Sequence, residues 1–346
     1  MLKKAIDKVA QRGNLTEQEA FKAMSVIMGG EVSPVQIAAY ITALSMKGET
    51  VDEIAGSAKA MRAKALSLDL PFDRSLPLLD TAGTGGDGSQ TFNISTTVAL
   101  VAAGAGLWVA KHGNRSVSSR CGSADLLSAL GVQITASPAI VRRCLETIGI
   151  GFLYAPTFHT AMKYALGPRR EIGIRTIFNL LGPLTNPAGA NVQILGVFRP
   201  ELTEPLAQVL KSIGTKSALV VHGDGSYDEI TTTGRTKVSR LLGDQVKTYW
   251  IQPEDVGLRR VDPKELRGGD AHHNADITLS ILRGERGPKR DVVLLNAAAA
   301  FVIAGKVKNL KQGMELAGQS IDSGNALGKL EQLINLTNSD GSGGVK

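Results

Sequence analysis

Leu76-Pro77-Leu78-Leu79-Asp80-Thr81-Ala82-Gly83-Thr84-Gly85-Gly86-Asp87-Gly88, with Asn93-Ile94-Ser95-Thr96 just beyond, is the stretch whose reading decides the fold. A short apolar run at residues 76–79 ends in a glycine-rich loop, and an alanine- and valine-rich helix is expected near residues 94–105. The same grammar recurs downstream. Residues 107–110 read as a strand entering a polar loop, and helices are expected from Ser123 and from Ser137-Pro138. Further strands are expected at residues 151–154, 192–198, 218–221 and 246–250, with helical segments between most of them. That alternation predicts an α/β domain with a mainly parallel central sheet flanked by helices.

Upstream the pattern is different. Thr16 with Glu19, Ser33 with Gln36, and Thr50 with Glu53 have the spacing of capping boxes, and Pro34 suits a first helical position. Ile37, Ile41 and Leu44 follow the second cap, and Ile54, Ala58 and Met61 the third, at helical spacing. Helices this short need a partner for their apolar faces. Residues 1–72 are therefore expected to form a small all-helical domain and residues 73–346 the larger α/β domain. Pro71 and Pro77 flank the linker between them. The stretch 160–187 looks helical and is expected to pack back on the small domain, whereas residues 338–346 read as a solvated, disordered tail.

Lys and Arg number 39 against 32 Asp and Glu, a net charge of +7 that favours anionic partners. Aromatics are only 4% and no block of like charge occurs, so nucleic acid fits less well than a phosphorylated small molecule. Cys121 and Cys144 have no close partner for a zinc site or redox pair and read as buried thiols in a reducing compartment. The N-terminus lacks a signal-peptide core, and no run is long enough to span a membrane. A cytoplasmic protein is expected.

Three loops carry the chemistry. In the first, Gly83, Gly85, Gly86 and Gly88 let successive N–H groups point at one anion, with a helix N-terminus behind them. A dinucleotide site would need an acid about 20 residues on, yet no Asp or Glu occurs between Asp87 and Asp125. The second loop, Lys111-His112-Gly113-Asn114-Arg115-Ser116-Val117-Ser118-Ser119, holds two cations, an amide and three hydroxyls, a set that suits phosphate oxygens. His112 is open to two readings, a general base or a hydrogen-bonding spacer. In the third, Asp228 and Glu229 are adjacent carboxylates, poor partners for each other and good ligands for Mg²⁺ together with substrate phosphates; Asp224 reads as a surface turn. A helical segment with Arg169, Arg170 and Arg175 offers guanidinium forks for a carboxylate. His272-His273 reads as a surface loop.

Gly83-Thr84-Gly85-Gly86-Asp87, Lys111-His112-Gly113-Asn114-Arg115, Arg175-Thr176-Ile177-Phe178-Asn179 with Gly182-Pro183-Leu184, and Asp228-Glu229 stand in the order found in one family. Together with the helical N-terminus they make the chain resemble, over nearly its whole length, the anthranilate phosphoribosyltransferases of tryptophan biosynthesis. The resemblance implies phosphoribosyl pyrophosphate (PRPP) and anthranilate as substrates, two Mg²⁺ ions per subunit, and a homodimer formed through the helical domain. It implies PRPP binding by Gly83, Gly86, Asp87, Thr91, Asn93, Ile94, Ser95, Thr96, Lys111, His112, Gly113, Asn114, Arg115, Ser116, Val117, Ser118, Ser119 and Ser123. Anthranilate would meet Gly83, Asn114 and Arg169, with Arg170 the alternative partner for its carboxylate, and the metal would meet Ser95, Asp228 and Glu229. The chain departs from the family pattern at Cys121, at Thr160 and at Gly167-Pro168. Two rival readings are a nucleoside phosphorylase of related fold and a non-catalytic nucleic-acid-binding relative.

Overall fold

The computed structural model describes residues 1–339 apart from 69, 71, 72, 74, 75, 87 and 117–119. It begins with the helices α1 (Leu2–Ala10), α2 (Glu17–Met28), α3 (Pro34–Lys47) and α4 (Val51–Lys64). All three capping boxes form. The Thr16, Ser33 and Thr50 hydroxyls accept the N–H groups of Glu19, Gln36 and Glu53, whose side chains accept from the cap backbone in return. Glu53 does more than cap: its buried carboxylate accepts the Leu15 N–H at 2.9 Å and pairs with buried Lys47 at 2.9 Å. Removing either partner would strand a buried charge, so this pair specifies how α4 meets the turn between α1 and α2.

Among the described residues, seven strands form one sheet: β1 (Leu78–Gly83), β2 (Trp108–Gly113), β3 (Ile150–Tyr154), β4 (Val192–Gly196), β5 (Ser217–Gly223), β6 (Thr236–Leu242) and β7 (Gln245–Ile251). Their spatial order is β3-β2-β1-β4-β5-β6-β7. The first five are parallel, and β6 and β7 extend the sheet as an antiparallel ribbon. Period-two alternation buries both faces. Val192, Ile194, Leu219 and Val221 join one core cluster, while Leu195, Ala218 and Val220 join another.

The remaining helices are α5 (Ile94–Gly104), α6 (Ser123–Ala129), α7 (Pro138–Ile148), α8 (Ala155–Phe158), α9 (Lys163–Ile172), α10 (Phe178–Leu181), α11 (Thr203–Ser212), α12 (Ala271–Leu282), α13 (Pro288–Ile303), α14 (Leu310–Asp322) and α15 (Asn325–Asn338). α5, α13, α14 and α15 cover the first cluster's face. On the opposite face α11 packs on β5 and β6, and α9 packs on α3 and α2. Arg62 of α4 ties the helical bundle to the sheet domain, donating to the carbonyls of Leu184 at 2.7 Å and Ile213 at 3.1 Å.

Four features differ from expectation. β1 starts at Leu78 and runs on through Asp80 and Thr81, because both polar side chains find buried partners. β2 likewise continues through Lys111, His112 and Gly113. β6 was unread because Lys237 and Arg240 break its apolar pattern. His272 and His273 are exposed as expected, yet they lie on α12 rather than in a loop, where the Asp270 side chain accepts the His273 N–H.

Candidate active site

Strands β1, β2, β4 and β5 all end in glycine, at Gly83, Gly113, Gly196 and Gly223. The chain order reverses between β1 and β4, and in open α/β sheets a crevice opens at the carboxyl ends of such a pair. The three loops with unusual chemistry converge there.

Gly83 and Gly196 are register partners on β1 and β4. A Cβ on Gly83 would overlap the Asp228 carboxylate, and one on Gly196 would overlap the Asp228 carbonyl oxygen. The two glycines thus form a bare shelf on which Asp228 rests. From it the Asp228 Oδ2 accepts the Gly85 N–H at 2.9 Å, and the Glu229 Oε1 accepts the Ser95 N–H at 3.1 Å at the start of α5. The next residue is clamped from behind. Buried Asn296 of α13 accepts the Ile230 N–H at 3.0 Å and donates to its carbonyl at 2.8 Å. Asp228, Glu229 and the Ser95 hydroxyl are oxygen donors gathered beside the glycine loop and the α5 N-terminus, a set that fits a hard cation.

Lys111 differs from its sequence reading as a loop cation. It is a buried strand residue beneath the glycine loop, donating to the Thr81 carbonyl at 2.6 Å and the Ser95 hydroxyl at 3.5 Å. Burial lowers its pKa, opposed by the charges of Asp80 and Glu229. Asp80, fully buried, accepts from Asn186 Nδ2 at 2.8 Å and from the His112 N–H at 3.2 Å. Burial pushes its carboxyl up to about 6 against the opposing pull of Lys111 and Asn186. The same Asn186 donates to the Ala110 carbonyl at 2.8 Å, and Gln193 donates to Pro183 at 2.7 Å. Asp80 and its neighbours therefore anchor the segment that carries Gly182-Pro183-Leu184 against the sheet.

His112 is buried with its ring 5.1 Å from that of buried His159, which sequence reasoning did not single out. Burial drives His112 down to about 3 and His159 to about 4. Proton affinities this low suit hydrogen bonding rather than proton abstraction near neutral pH. Each ring leaves its Nε2 unpartnered among the described residues. Both depressed values lie below the ordinary 6.5, so their stabilising contribution is complete above pH 6.5 and is lost as pH falls toward the folded values. Asp80, raised, works the other way: its contribution is present at acid pH and is lost as pH rises through about 6. For these three groups the two histidines outweigh Asp80, so their joint contribution to stability falls between pH 7 and pH 5. Denaturant titrations at both pH values should show a smaller loss in His159→Gln than in the parent; equal losses would refute the assignment.

Around the mouth, Arg115 pairs with Asp125 at 2.7 Å, and Asp125 also accepts the N–H groups of Ser116 and Gly122. Asp125, missed in the sequence, thereby shapes the second loop. Asn114 accepts the Ala124 N–H at its carbonyl and the Ser123 hydroxyl bonds there too, so Gly113, Asn114 and Ser123 lie together. Thr91 bridges to Arg267, and Ile94 and Thr96 are buried, which leaves the Ile94 backbone as its polar contribution. Arg175 donates to the Gly86 carbonyl while its guanidinium lies 4.2 Å from the Phe198 ring centre. Arg169 is half-buried over Phe178, 5.1 Å from the ring centre, whereas Arg170 is exposed. Asp87, Val117, Ser118 and Ser119 lie outside the described residues.

Residues 75–327 match the glycosyl transferase family a/b domain, and residues 3–65 match the glycosyl transferase family helical bundle domain. The chain is 56% identical to the anthranilate phosphoribosyltransferase of Moorella thermoacetica over 96% of this chain and 98% of that one. It superposes on the crystal structure of anthranilate phosphoribosyltransferase from Thermus thermophilus with a TM-score of 0.91 at 46% identity, covering 96% and 99% of the two chains. The Saccharomyces cerevisiae enzyme, solved in complex with PRPP and Mg, superposes with a TM-score of 0.89 at 31% identity, covering 98% of each.

Proposed function

We infer that the chain, which belongs to the anthranilate phosphoribosyltransferase family of glycosyl transferases, transfers the phosphoribosyl group of PRPP to the amine of anthranilate in tryptophan biosynthesis. The products are N-(5'-phosphoribosyl)anthranilate and pyrophosphate. A single observation carries the chemistry: two adjacent carboxylates turn toward the glycine loop and the α5 N-terminus, where a polyphosphate would sit. Relatives more than half identical bear the transferase name, which sets aside the nucleoside phosphorylase and nucleic-acid-binding readings.

Breaking the C1–O bond leaves an oxocarbenium-like sugar and an anionic pyrophosphate. Backbone N–H groups of the glycine loop and the first turn of α5 other than those of Gly85 and Ser95, which Asp228 and Glu229 accept, would stabilise that anion from fixed positions. Ser95, Asp228 and Glu229 would hold Mg²⁺, two ions per subunit, whose charge neutralises the departing pyrophosphate when bound. The acceptor amine of anthranilate is neutral near pH 7, so placement rather than proton removal is required. This agrees with the low proton affinity of His112. Arg169 offers a cation beside the flat face of Phe178, a pairing that suits an aromatic carboxylate. Gly83 and Asn114 would complete the acceptor site, and the Lys111–Ser119 loop, with Thr91, Asn93 and Ser123, would hold the phosphates of PRPP.

Exposed Val35 and Met46 lie about three turns apart on one side of α3, and Leu166 is exposed on α9, which packs against α3. Their exposure supports a homodimer through the helical domain. No helix among the described residues is long and apolar enough to cross a membrane. Cys121 and Cys144 are buried thiols outside any disulfide, in keeping with a cytoplasmic protein.

Loss of anthranilate fluorescence on adding PRPP and Mg²⁺ tests the activity directly; no change with fully folded protein would overturn it. Arg169→Ala is expected to raise KM for anthranilate about thirtyfold, the worth of one charge-assisted contact, and to leave KM for PRPP nearly unchanged. If Arg170→Ala produces that split instead, the acceptor carboxylate belongs to Arg170.

A further inference from the structure

Asn274 is almost completely buried on the first turn of α12, at 1% exposure. Its Oδ1 accepts the Gly269 N–H at 2.7 Å, and its Nδ2 donates to Asn93 Oδ1 at 2.9 Å. Asn93 in turn donates from its Nδ2 to the Cys121 carbonyl at 3.0 Å. Asn93 is the residue at which the glycine loop becomes α5, and Cys121 closes the loop that began at Lys111. One amide relay therefore links both phosphate-binding loops to α12.

The segment before α12 is drawn into the same arrangement. The Gly268 N–H donates to the Gln90 carbonyl at 2.9 Å, and Thr91 bridges to Arg267. A Cβ on Gly268 would lie 2.6 Å from both Asn274 Oδ1 and Phe92 Cα, so a side chain there would push the segment off the loop. One turn along each helix, the buried hydroxyls of Thr97 and Thr278 meet at 3.3 Å. This second rung joins the same two helices but lies away from the loops.

We propose that Asn274 is a positioning residue for PRPP, orienting the Asn93 amide and so holding the two phosphate loops at one separation. The inference rests on the transferase reading. An amide has a donor end and an acceptor end. With Asn274 donating to the oxygen of Asn93, the nitrogen of Asn93 must face the Cys121 carbonyl. An acceptor in place of that donor sets two oxygens against each other in a buried site, and Asn93 turns away from Cys121. The acceptor substrate keeps its charged partner, Arg169, which lies on neither loop, and is affected less.

Asn274→Asp keeps the acceptor for Gly269 and removes the donor to Asn93 at nearly constant volume. We expect it to raise KM for PRPP about tenfold, the cost of one misdirected buried hydrogen bond, and to change KM for anthranilate less than about twofold. Thr278→Val removes the second rung and should lower the melting temperature while leaving both KM values in place. If Asn274→Asp does not fold, Asn274→Ala, which removes the donor and buries no charge, carries the same comparison. A parallel rise in both KM values, or a KM for PRPP that does not move, overturns the proposal while wild-type turnover stands. Absence of wild-type turnover would instead strike the transferase reading itself.

Discussion

Asp228→Asn combined with Glu229→Gln is expected to abolish magnesium-dependent turnover in a protein that remains folded. The choice of amides matters. Asp228 accepts the Gly85 N–H and Glu229 accepts the Ser95 N–H, and an amide oxygen can keep both bonds while the negative charge disappears. What is lost is the affinity for a hard cation, which relies on charged oxygen ligands. Removing the electrostatic stabilisation of a leaving pyrophosphate should cost about a thousandfold or more in kcat/KM, judged from losses at single stabilising donors. Turnover would be read against Mg²⁺ concentration, with thermal melting alongside. A variant that melts like wild type and still responds to Mg²⁺ would place the metal elsewhere.

A second large effect is expected from one methyl group. Gly196→Ala would set its Cβ on the backbone oxygen of Asp228, and a carbonyl clamped on the far side by Asn296 at Ile230 cannot easily retreat. β4 is central in the sheet, between β1 and β5, so it cannot shift without breaking two ladders. The expected cost is about 3 kcal/mol or more of stability, together with loss of activity as both carboxylates leave the shelf. Gly83→Ala supplies the contrast. There the new methyl meets the end of the Asp228 side chain, which can rotate, so activity should fall while stability changes by about 1 kcal/mol or less. Equal melting temperatures for Gly196→Ala and wild type would show that Asp228 does not rest on this shelf.

The parts of the molecule legible in sequence are those whose determinants are local. A capping box is closed by residues three apart, so Thr16, Ser33 and Thr50 announced their helices. A glycine cluster before a helix, and two neighbouring carboxylates, are chemical statements that need no partner to be recognised. Asp80 shows where such reading stops. Taken alone it is a charged residue at a loop; with Asn186 and Gln193, more than a hundred residues downstream, it becomes the centre of a buried strand. His159, Asp125 and Asn274 went unassigned for the same reason, since each acts on a segment distant in the chain or through a loop's backbone.

Sequence by itself determined the inventory of this protein: an anion-binding glycine loop, a basic hydroxyl-rich loop, a carboxylate pair, and a helical N-terminus ahead of an α/β domain. Tertiary structure alone decided how they meet. The strand order puts β4 beside β1, so that Gly196 and Gly83 make room for Asp228. It also sinks Lys111 beneath the loop it was expected to decorate. The physical reason is that a turn or a cap is favoured by interactions within a few residues, whereas desolvating a charge is tolerable only where distant chain segments bring its partners.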